Sequence, residues 1–231
     1  MTDRPLKLAV FDVDGTLVDS QAHILAAMDA AYGDLRLPLP ERAAMLRQVG
    51  LSLHELFARL EPDLPADTRL ALAAAYKDAY ARLRSDGSGK AHSPLFDGMG
   101  ALLDRLARVE PLLLGVATGK SRRGLDHVLE LHGLERTFLS RQVADDHPSK
   151  PHPAMLHAAL SETGCEAPHA VMIGDTVFDM EMGHAAGMKT IAVSWGYHPR
   201  AMLEDAAPDI LVDRVGDLGD VILELLDLSD D

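Results

Sequence analysis

The apolar residues of the chain change their spacing twice, and these changes divide the sequence into three stretches. A short apolar run follows Pro5, which is typical of a buried strand; it consists of Leu6, Leu8, Ala9 and Val10. Between residues 22 and 83 the apolar positions recur at helical spacing, without the pattern of a strand. From residue 93 onwards, short apolar runs alternate with segments of helix length. This alternation predicts a parallel sheet that is covered by helices on both faces.

Prolines and glycines interrupt the helical stretch, which is therefore predicted to hold several helices. Ser52 and Glu55 have the spacing of a capping box at the start of one of them. The segment SDGSGK, residues 85–90, predicts a loop. The predicted helices cover residues 22–32, 41–49, 52–60, 66–83, 98–109, 121–131, 153–163, 178–186 and 218–226. The predicted later strands cover residues 111–117, 138–143, 170–173, 190–193 and 210–212.

Taken together, these elements predict an α/β protein with a doubly wound parallel sheet. The helical stretch separates the first strand from the others, so the simplest arrangement is one core with an inserted helical domain. The core is predicted to comprise residues 1–19 and 92–231, and the helical domain residues 20–91.

Two carboxylates follow the first predicted strand. Asp12 and Asp14 are one residue apart, so both side chains point the same way on an extended backbone. Two acids placed in this way repel each other unless a cation lies between them. Gly15 allows a tight turn, and Thr16 adds a hydroxyl. The group suits Mg²⁺ and a substrate phosphate, although Asp-Gly is also an ordinary turn dipeptide.

Three further polar clusters follow predicted strands, and ligands of open α/β sheets bind at such strand ends. Residues 118–120, Thr-Gly-Lys, offer a hydroxyl and a helix N-terminus to a phosphate, or simply cap the helix. Lys150 lies beside Pro151, in a loop where a lysine is ordinarily exposed. Asp175 and Asp179 lie at the start of a helix, where acids also stabilise the helix dipole. Their joint position at strand ends nevertheless indicates one shared ligand site, suited to Mg²⁺ and a phosphate.

The four clusters match, in order, the motifs of a known family. The segment DVDGTLVDS, residues 12–20, resembles the first motif of the haloacid-dehalogenase-like hydrolases. Thr-Gly-Lys, Lys-Pro-x-Pro and Gly-Asp-x-x-x-Asp resemble the next three. The resemblance is to the subgroup with a helical cap, which includes phosphoglycolate phosphatases and beta-phosphoglucomutases. It implies a Rossmann-like core, a helical cap domain and a Mg²⁺-dependent phosphatase.

The resemblance also implies catalytic roles for particular residues. Asp12 is the expected nucleophile, which forms an aspartyl phosphate, and Asp14 is the expected general acid and base. Thr118 is expected to hold the transferring phosphoryl group. Lys150 is expected to offset the carboxylates and to bind the phosphate as a point charge.

The expected metal ligands are Asp12, the backbone carbonyl of Asp14, and Asp175, with Asp179 in support.

Substrate contacts are expected from three further positions. Thr16 and the amide of Gly119 are the expected partners of the phosphate. Gly50 interrupts the helical stretch and is either a plain turn or part of a cap loop that approaches the leaving group. Lys120 could touch substrate, but we expect it to be solvated.

Several reactions are compatible with the fold. Hydrolysis of a small phosphate monoester similar to phosphoglycolate is the main expectation, because the segment WGYH, residues 195–198, resembles a segment of phosphoglycolate phosphatases. An inorganic pyrophosphatase is one alternative. A sugar-phosphate mutase is another, but such mutases carry an arginine near the position of Leu53. From a different class, the chain could be a non-catalytic phosphate-binding module, although its intact carboxylates argue against a decayed site.

Composition limits the partners and the compartment. The 231 residues carry a formal net charge of −14, which argues against nucleic acids and anionic membranes as partners. Cys165 is the single cysteine, so an intrachain disulfide is excluded, and the N-terminus lacks the apolar run of a signal peptide. We therefore expect a cytoplasmic monomer or homodimer whose partner is a small phosphorylated metabolite.

Overall fold

A single parallel sheet forms the centre of the computed structural model, which describes residues 5–84 and 93–229. Its strands are β1 (Lys7–Phe11), β2 (Leu112–Thr118), β3 (Ser140–Val143), β4 (Ala170–Gly174), β5 (Lys189–Val193) and β6 (Ile210–Val212). The strand order is β3-β2-β1-β4-β5-β6, and every neighbouring pair is parallel. The predicted loop at residues 85–90 and the predicted boundary at residues 91 and 92 lie outside the described residues.

The helices occupy most of the chain between the strands. They are α1 (Gln21–Leu35), α2 (Arg42–Leu46), α3 (Leu53–Leu60), α4 (Ala66–Arg84), α5 (Met99–Leu106), α6 (Arg122–His132), α7 (Ala154–Thr163), α8 (Val177–Ala185), α9 (Arg200–Asp205) and α10 (Val215–Leu225). A short 3₁₀ turn, Ala167–His169, precedes β4. No helix within the described ranges is both long enough and apolar enough to cross a membrane.

The sheet is buried on both faces, as the apolar strands predict. Alternate residues of β1 enter different hydrophobic clusters: Ala9 and Phe11 pack on one side, and Leu8 and Val10 on the other. The first cluster also contains residues of α5, α6 and α10, and the second contains residues of α7. The predicted doubly wound α/β fold is therefore confirmed.

The order of the strands determines where a ligand can bind. β1 lies between β2 and β4, so the strand order reverses beside it. At such a reversal the loops that leave neighbouring strands separate, and a crevice opens at their carboxyl ends. The pairing of β1 with β4 continues one residue further, because the backbone N–H of Asp12 donates to the carbonyl of Ile173 at 2.9 Å.

The helices α1 to α4 form most of a third hydrophobic cluster. Met28, Tyr32, Phe57 and Leu72 are buried in it. Phe178 of α8 also belongs to this cluster, so the helical domain packs directly against the edge of the core that carries the GDTVFD segment.

Several elements differ from the sequence prediction. α1 continues to Leu35 and α5 stops at Leu106, each three residues from its predicted end. α2 ends at Leu46, and the following residues form turns, so the chain reaches Gly50 as a loop. α9 is absent from the prediction, because six residues hold too few apolar positions to show a helical period. α10 begins at Val215, one turn earlier than predicted.

Candidate active site

Three buried carboxylates meet at the carboxyl ends of β1 and β4. Asp12, Asp175 and Asp179 each offer an oxygen atom, and these atoms lie within 4.8 Å of one another. All three side chains are fully or almost fully shielded from solvent. The sheet topology brings them together, since Asp12 follows β1 and Asp175 follows the neighbouring β4.

The backbone around Asp175 is shaped by glycines. Gly15 has φ +84°, and a Cβ on it would collide with the Asp175 carboxylate. A Cβ on Gly196 would collide with the same side chain. Only glycine allows both segments to approach so closely, and Asp175 is therefore enclosed by two loops that are distant in sequence.

Lys150 lies between two of the carboxylates. Its Nζ is 2.9 Å from Asp12 Oδ1 and 2.7 Å from Asp179 Oδ1, and its side chain is fully buried. Burial disfavours the lysine's charge, but the two carboxylates outweigh that effect and raise the pKa of Lys150. A protonated Lys150 thus offsets part of the negative charge of the cluster.

Asp12 has the fewest hydrogen-bond partners of the three carboxylates in the cluster. Lys150 lies near it, but neither oxygen of Asp12 accepts a well-aligned hydrogen bond among the described residues. Burial, with further contributions from Asp179 and Asp14, raises the pKa of Asp12 to about 7 despite the opposing charge of Lys150. The pKa of Asp175 is also raised well above its usual range, mainly by burial and then by Asp12 and Asp179.

Asp175 and Asp179 are held by different parts of the chain. Thr16 Oγ1 donates to Asp175 Oδ1 at 2.9 Å, and the backbone N–H of Tyr197 donates to Asp175 Oδ2 at 2.8 Å. Asp179 Oδ2 accepts from the backbone N–H and the hydroxyl of Thr176, which completes a capping box at the start of α8. Thr16, predicted to contact substrate, thus uses its hydroxyl to hold a carboxylate.

The carboxylate of Asp14 lies apart from this cluster and forms a second centre. Lys120 Nζ is 2.8 Å from Asp14 Oδ1, and Ser20 Oγ donates to the same oxygen. Tyr197 OH in turn accepts from the backbone N–H of Ser20 at 3.0 Å and lies 3.1 Å from its hydroxyl. Tyr80 of α4 completes the surroundings, because its hydroxyl accepts from Lys120 at 3.3 Å.

The expectation that Lys120 is solvated is wrong. Its side chain is only 8% exposed. Burial disfavours its charge, but Asp14 outweighs that effect and raises the pKa of Lys120. The sequence could not reveal this, since the position next to a helix start is compatible with either environment.

Thr118, Gly119 and Gly50 lie together, although they come from different domains. Thr118 is buried at the end of β2, and its Oγ1 accepts from the backbone N–H of Lys120 at 3.2 Å. A Cβ on Gly119 would lie only 2.5 Å from the carbonyl oxygen of Gly50 and 2.6 Å from that of Leu51. Gly50 itself has φ +100°, a conformation that side-chain-bearing residues rarely adopt.

A cavity of about 450 Å³ extends from these groups into the helical domain. Its lining from the core includes Asp12, Asp14 and residues 118–120. Its lining from the helical domain comes from the loop 49–52 and from α1, α3 and α4. Among the predicted site residues, Thr16, Lys150, Asp175 and Asp179 are not part of this lining.

The carboxylate cluster fits a divalent metal ion. Asp12, Asp175 and Asp179 supply hard oxygen ligands, of the kind that Mg²⁺ prefers. Lys150 is the cation that this cluster contacts in the described part of the chain, and one positive charge does not balance three buried carboxylates. Oδ2 of Asp12, which has no partner among the described residues, is placed to coordinate a further cation.

Sequence reasoning missed three residues that hold the site together: Ser20, Lys120 and Tyr197. Ser20 is the last residue of the DVDGTLVDS motif, and Lys120 is the last residue of Thr-Gly-Lys, so both belong to segments that the sequence analysis identified. Tyr197 stood in the WGYH segment, which the sequence linked only to the identity of the substrate. Its hydroxyl reaches Ser20 across 177 positions of the chain.

Known proteins resemble the chain over almost its whole length. A sequence model described as haloacid dehalogenase-like hydrolase matches residues 9–193. The protein called "Probable phosphatase IndB" from Dickeya dadantii (strain 3937) is 35% identical over 224 residues, which are 96% of each chain.

Two further relatives bear more specific names. "Pyrophosphatase PpaX" from Bacillus pumilus (strain SAFR-032) is 30% identical, over 94% of this chain and 97% of its own. "Phosphoglycolate phosphatase" from Vibrio parahaemolyticus serotype O3:K6 (strain RIMD 2210633) is 26% identical, over 96% of this chain and 98% of its own.

Among solved structures, a phosphatase described as predicted, from Clostridium acetobutylicum, superposes with a TM-score of 0.84 at 23% identity. It covers 96% of this chain and 100% of that one, and it supports the fold alone.

Proposed function

Because the chain belongs to the haloacid dehalogenase-like hydrolase family and is a phosphatase, we propose that it hydrolyses a small phosphate monoester through a phosphorylated Asp12. The observation that carries the proposal is the environment of Asp12. Its carboxylate is buried at the end of β1 and lines the cavity, and apart from the contact of Oδ1 with Lys150 at 2.9 Å its oxygens have no hydrogen-bond partner among the described residues. A nucleophile needs such unused lone pairs, and a merely structural carboxylate would be hydrogen-bonded.

The residues around Asp12 support a two-step reaction. Asp12 attacks the phosphorus atom in line, and the leaving oxygen takes a proton from Asp14. Asp14 then accepts a proton from the water that hydrolyses the aspartyl phosphate, which releases phosphate and regenerates Asp12. Thr118 and the amide of Gly119 hold the phosphoryl oxygens. Lys150 offsets the charge that three carboxylates and a phosphate bring together.

We propose that Mg²⁺ is the cofactor. Asp12, Asp175 and the backbone carbonyl of Asp14 would hold it, with Asp179 in support through Lys150. When bound, the ion neutralises charge on the phosphoryl oxygens.

The test is replacement of Asp12 by asparagine, which keeps the size of the side chain and removes the attacking charge. With Mg²⁺ and p-nitrophenyl phosphate, we expect Asp12→Asn to lower kcat by roughly 10³-fold or more. Asp78→Asn, on the exposed face of α4, is the matched control and should retain activity. Mass spectrometry of acid-quenched wild-type enzyme should find phosphate on Asp12. Ordinary turnover by a folded Asp12→Asn variant would overturn the mechanism.

The first substrates to assay come from the names of the relatives. Phosphoglycolate is the substrate type that the sequence predicts, and pyrophosphate is the alternative that the 30% identical relative supports. The cytoplasmic location and the monomeric or homodimeric state stay predictions. The free thiol of Cys165 is in keeping with a reducing compartment.

A further inference from the structure

The helical domain presents an apolar wall to the cavity. Leu70, Ala73, Tyr76 and Tyr80 of α4 all line it, and their spacing of three or four residues puts them on one face of that helix. Leu70 is 51% exposed, so the wall extends to the solvent-exposed surface of α4.

The loop before α3 and α3 itself continue this wall. Leu51, Leu53 and Leu56 line the cavity from that side. Gly50 and Leu51 also touch the core at Gly119, so this part of the wall begins next to the expected phosphate position. The group that leaves from the phosphate would therefore enter apolar surroundings directly.

The charges inside the cavity disfavour a second anionic group on the substrate. Lys120, the buried cation of the lining, is already paired with Asp14 at 2.8 Å. Lys77, Arg123 and His54 also line the cavity, but their side chains are exposed to solvent. An anion next to the phosphate would meet Asp14 and an occupied lysine, without a free cation among the described residues of the inner lining.

The size of the cavity is consistent with a bulky leaving group. Its volume of about 450 Å³ lies within the range of roughly 300 to 1,000 Å³ that is typical of ligand pockets. A phosphoryl group and a two-carbon acid would leave much of this volume to water. An apolar ring or chain would instead displace that water from the leucines and tyrosines of the wall.

We propose that the preferred substrate is a phosphate monoester whose alcohol carries an apolar body, such as a ring, that binds against α4 and the loop 50–53. This inference rests on the proposed phosphatase function and specifies its substrate class. It predicts that phosphoglycolate and pyrophosphate are poorer substrates than a monoester of that class.

The test compares two monoesters whose alcohols have similar acidity, ethyl phosphate and 2-phenylethyl phosphate, with phosphoglycolate as the anionic comparator. With Mg²⁺, we expect kcat/KM to be roughly 10- to 100-fold higher for 2-phenylethyl phosphate than for ethyl phosphate. We expect phosphoglycolate to be no better than ethyl phosphate. Equal values for the two esters, or a preference for phosphoglycolate over both, would overturn the inference.

Binding of non-hydrolysable analogues separates this inference from the proposed function. Calorimetry with Mg²⁺ should show that 3-phenylpropylphosphonate binds more tightly than propylphosphonate. This preference without turnover of any ester would overturn the proposed monoester hydrolysis and support the apolar subsite. Turnover of the esters with no preference in either measurement would support the function and overturn the inference.

Variants of α4 test whether the preference for 2-phenylethyl phosphate over ethyl phosphate arises at this helix. Ala73→Phe should fill the cavity and lower kcat/KM for 2-phenylethyl phosphate by more than for ethyl phosphate. Ala74→Phe, on the exposed side of the same helix, is the control and should change neither value. Leu70→Gln is tolerable because Leu70 is half exposed, and it should weaken the preference even if Ala73→Phe fails to fold. An undiminished preference in the folded variants would contradict the proposed position.

Discussion

Lys120 and Lys150 are both buried lysines, and each is kept charged by carboxylates. Lys150 contacts Asp12 and Asp179, whereas Lys120 contacts Asp14. In surroundings of low polarity these contacts are stronger than ion pairs at the surface. Removal of one partner therefore leaves the other as a buried charge without compensation. Lys120 is thus a positioning residue, which holds the carboxylate that we expect to transfer the proton.

Lys120→Met tests this role, because methionine keeps much of the length and removes the charge. Without its cation, Asp14 is left with Ser20 as a partner, so proton transfer should suffer. We expect kcat/KM to fall by roughly 10- to 100-fold, and Lys120→Arg to recover part of the loss. Steady-state kinetics across a range of pH values provide the measurement. A Lys120→Met variant with unchanged rates and pH profile would mean that the ion pair serves packing alone.

At the scale of elements, two loops meet backbone to backbone. The loop between α2 and α3 carries Gly50 and Leu51, and the loop after β2 carries Gly119. Further contacts join the same two domains: the backbone N–H of Ser52 donates to Ser149 Oγ at 2.9 Å. The position of the helical domain over the carboxylates thus depends on the absence of a side chain at Gly119.

Gly119→Ala should separate these loops. Its Cβ would lie 2.5 Å from a backbone carbonyl oxygen, which cannot rotate away as a side chain could. We expect kcat/KM to fall by roughly 10- to 100-fold on every substrate, because the cap loop and the phosphate contacts are displaced together. Gly216→Ala in α10 is the control, since a Cβ there meets nothing within 4 Å.

Gly119 is a more informative position for this test than Gly50. Gly50 has φ +100°, so any side chain there strains the backbone before it can touch a substrate. A Gly119→Ala variant as active as the wild type would show that the two loops can move apart without cost to the reaction.

For the whole molecule, the balance between buried acids and cations determines how the stability of the folded state depends on pH. Burial, the largest cause, raises the pKa of Asp12 to about 7 and that of Asp175 well above its usual range. An unfolded carboxyl ionises near pH 4, so from there up to about pH 7 the folded state holds more protons than the unfolded state. In the absence of metal, the stability that these groups contribute is therefore greatest at low pH and falls as the pH rises.

Mg²⁺ should reverse this loss, because it binds the ionised carboxylates and competes with protons. At about pH 8, Mg²⁺ at 100 times its dissociation constant should raise the melting temperature by roughly 5 to 10 °C. The rise should be smaller at about pH 5, where protons occupy the site. Differential scanning calorimetry gives the measurement, with Asp12→Asn as a variant of weakened response and Asp78→Asn as the control. A response that is absent, or larger at the lower pH, would contradict the metal site.

The sequence by itself determined the elements of the core and the carboxylates of the site. Apolar runs of strand length identified β2, β4 and β5, because a strand buried on both faces has no exposed side and must be apolar throughout. Asp12, Asp175 and Asp179 were identified from their positions after such strands, since a parallel sheet brings its carboxyl ends to one edge. Both arguments need only the order of residues along the chain and a general rule about parallel sheets.

Only the tertiary structure decided the surroundings of these residues. Burial of Lys120, the link from Tyr197 to Ser20 and the apolar wall from Leu51 to Tyr80 are contacts between segments that are distant in the chain. The local sequence at each position is compatible with exposure. Side chains such as lysine and tyrosine adopt either environment according to what packs against them, and that partner is supplied by another domain. The periodicity of a segment reports that one of its faces is buried, but not what covers that face.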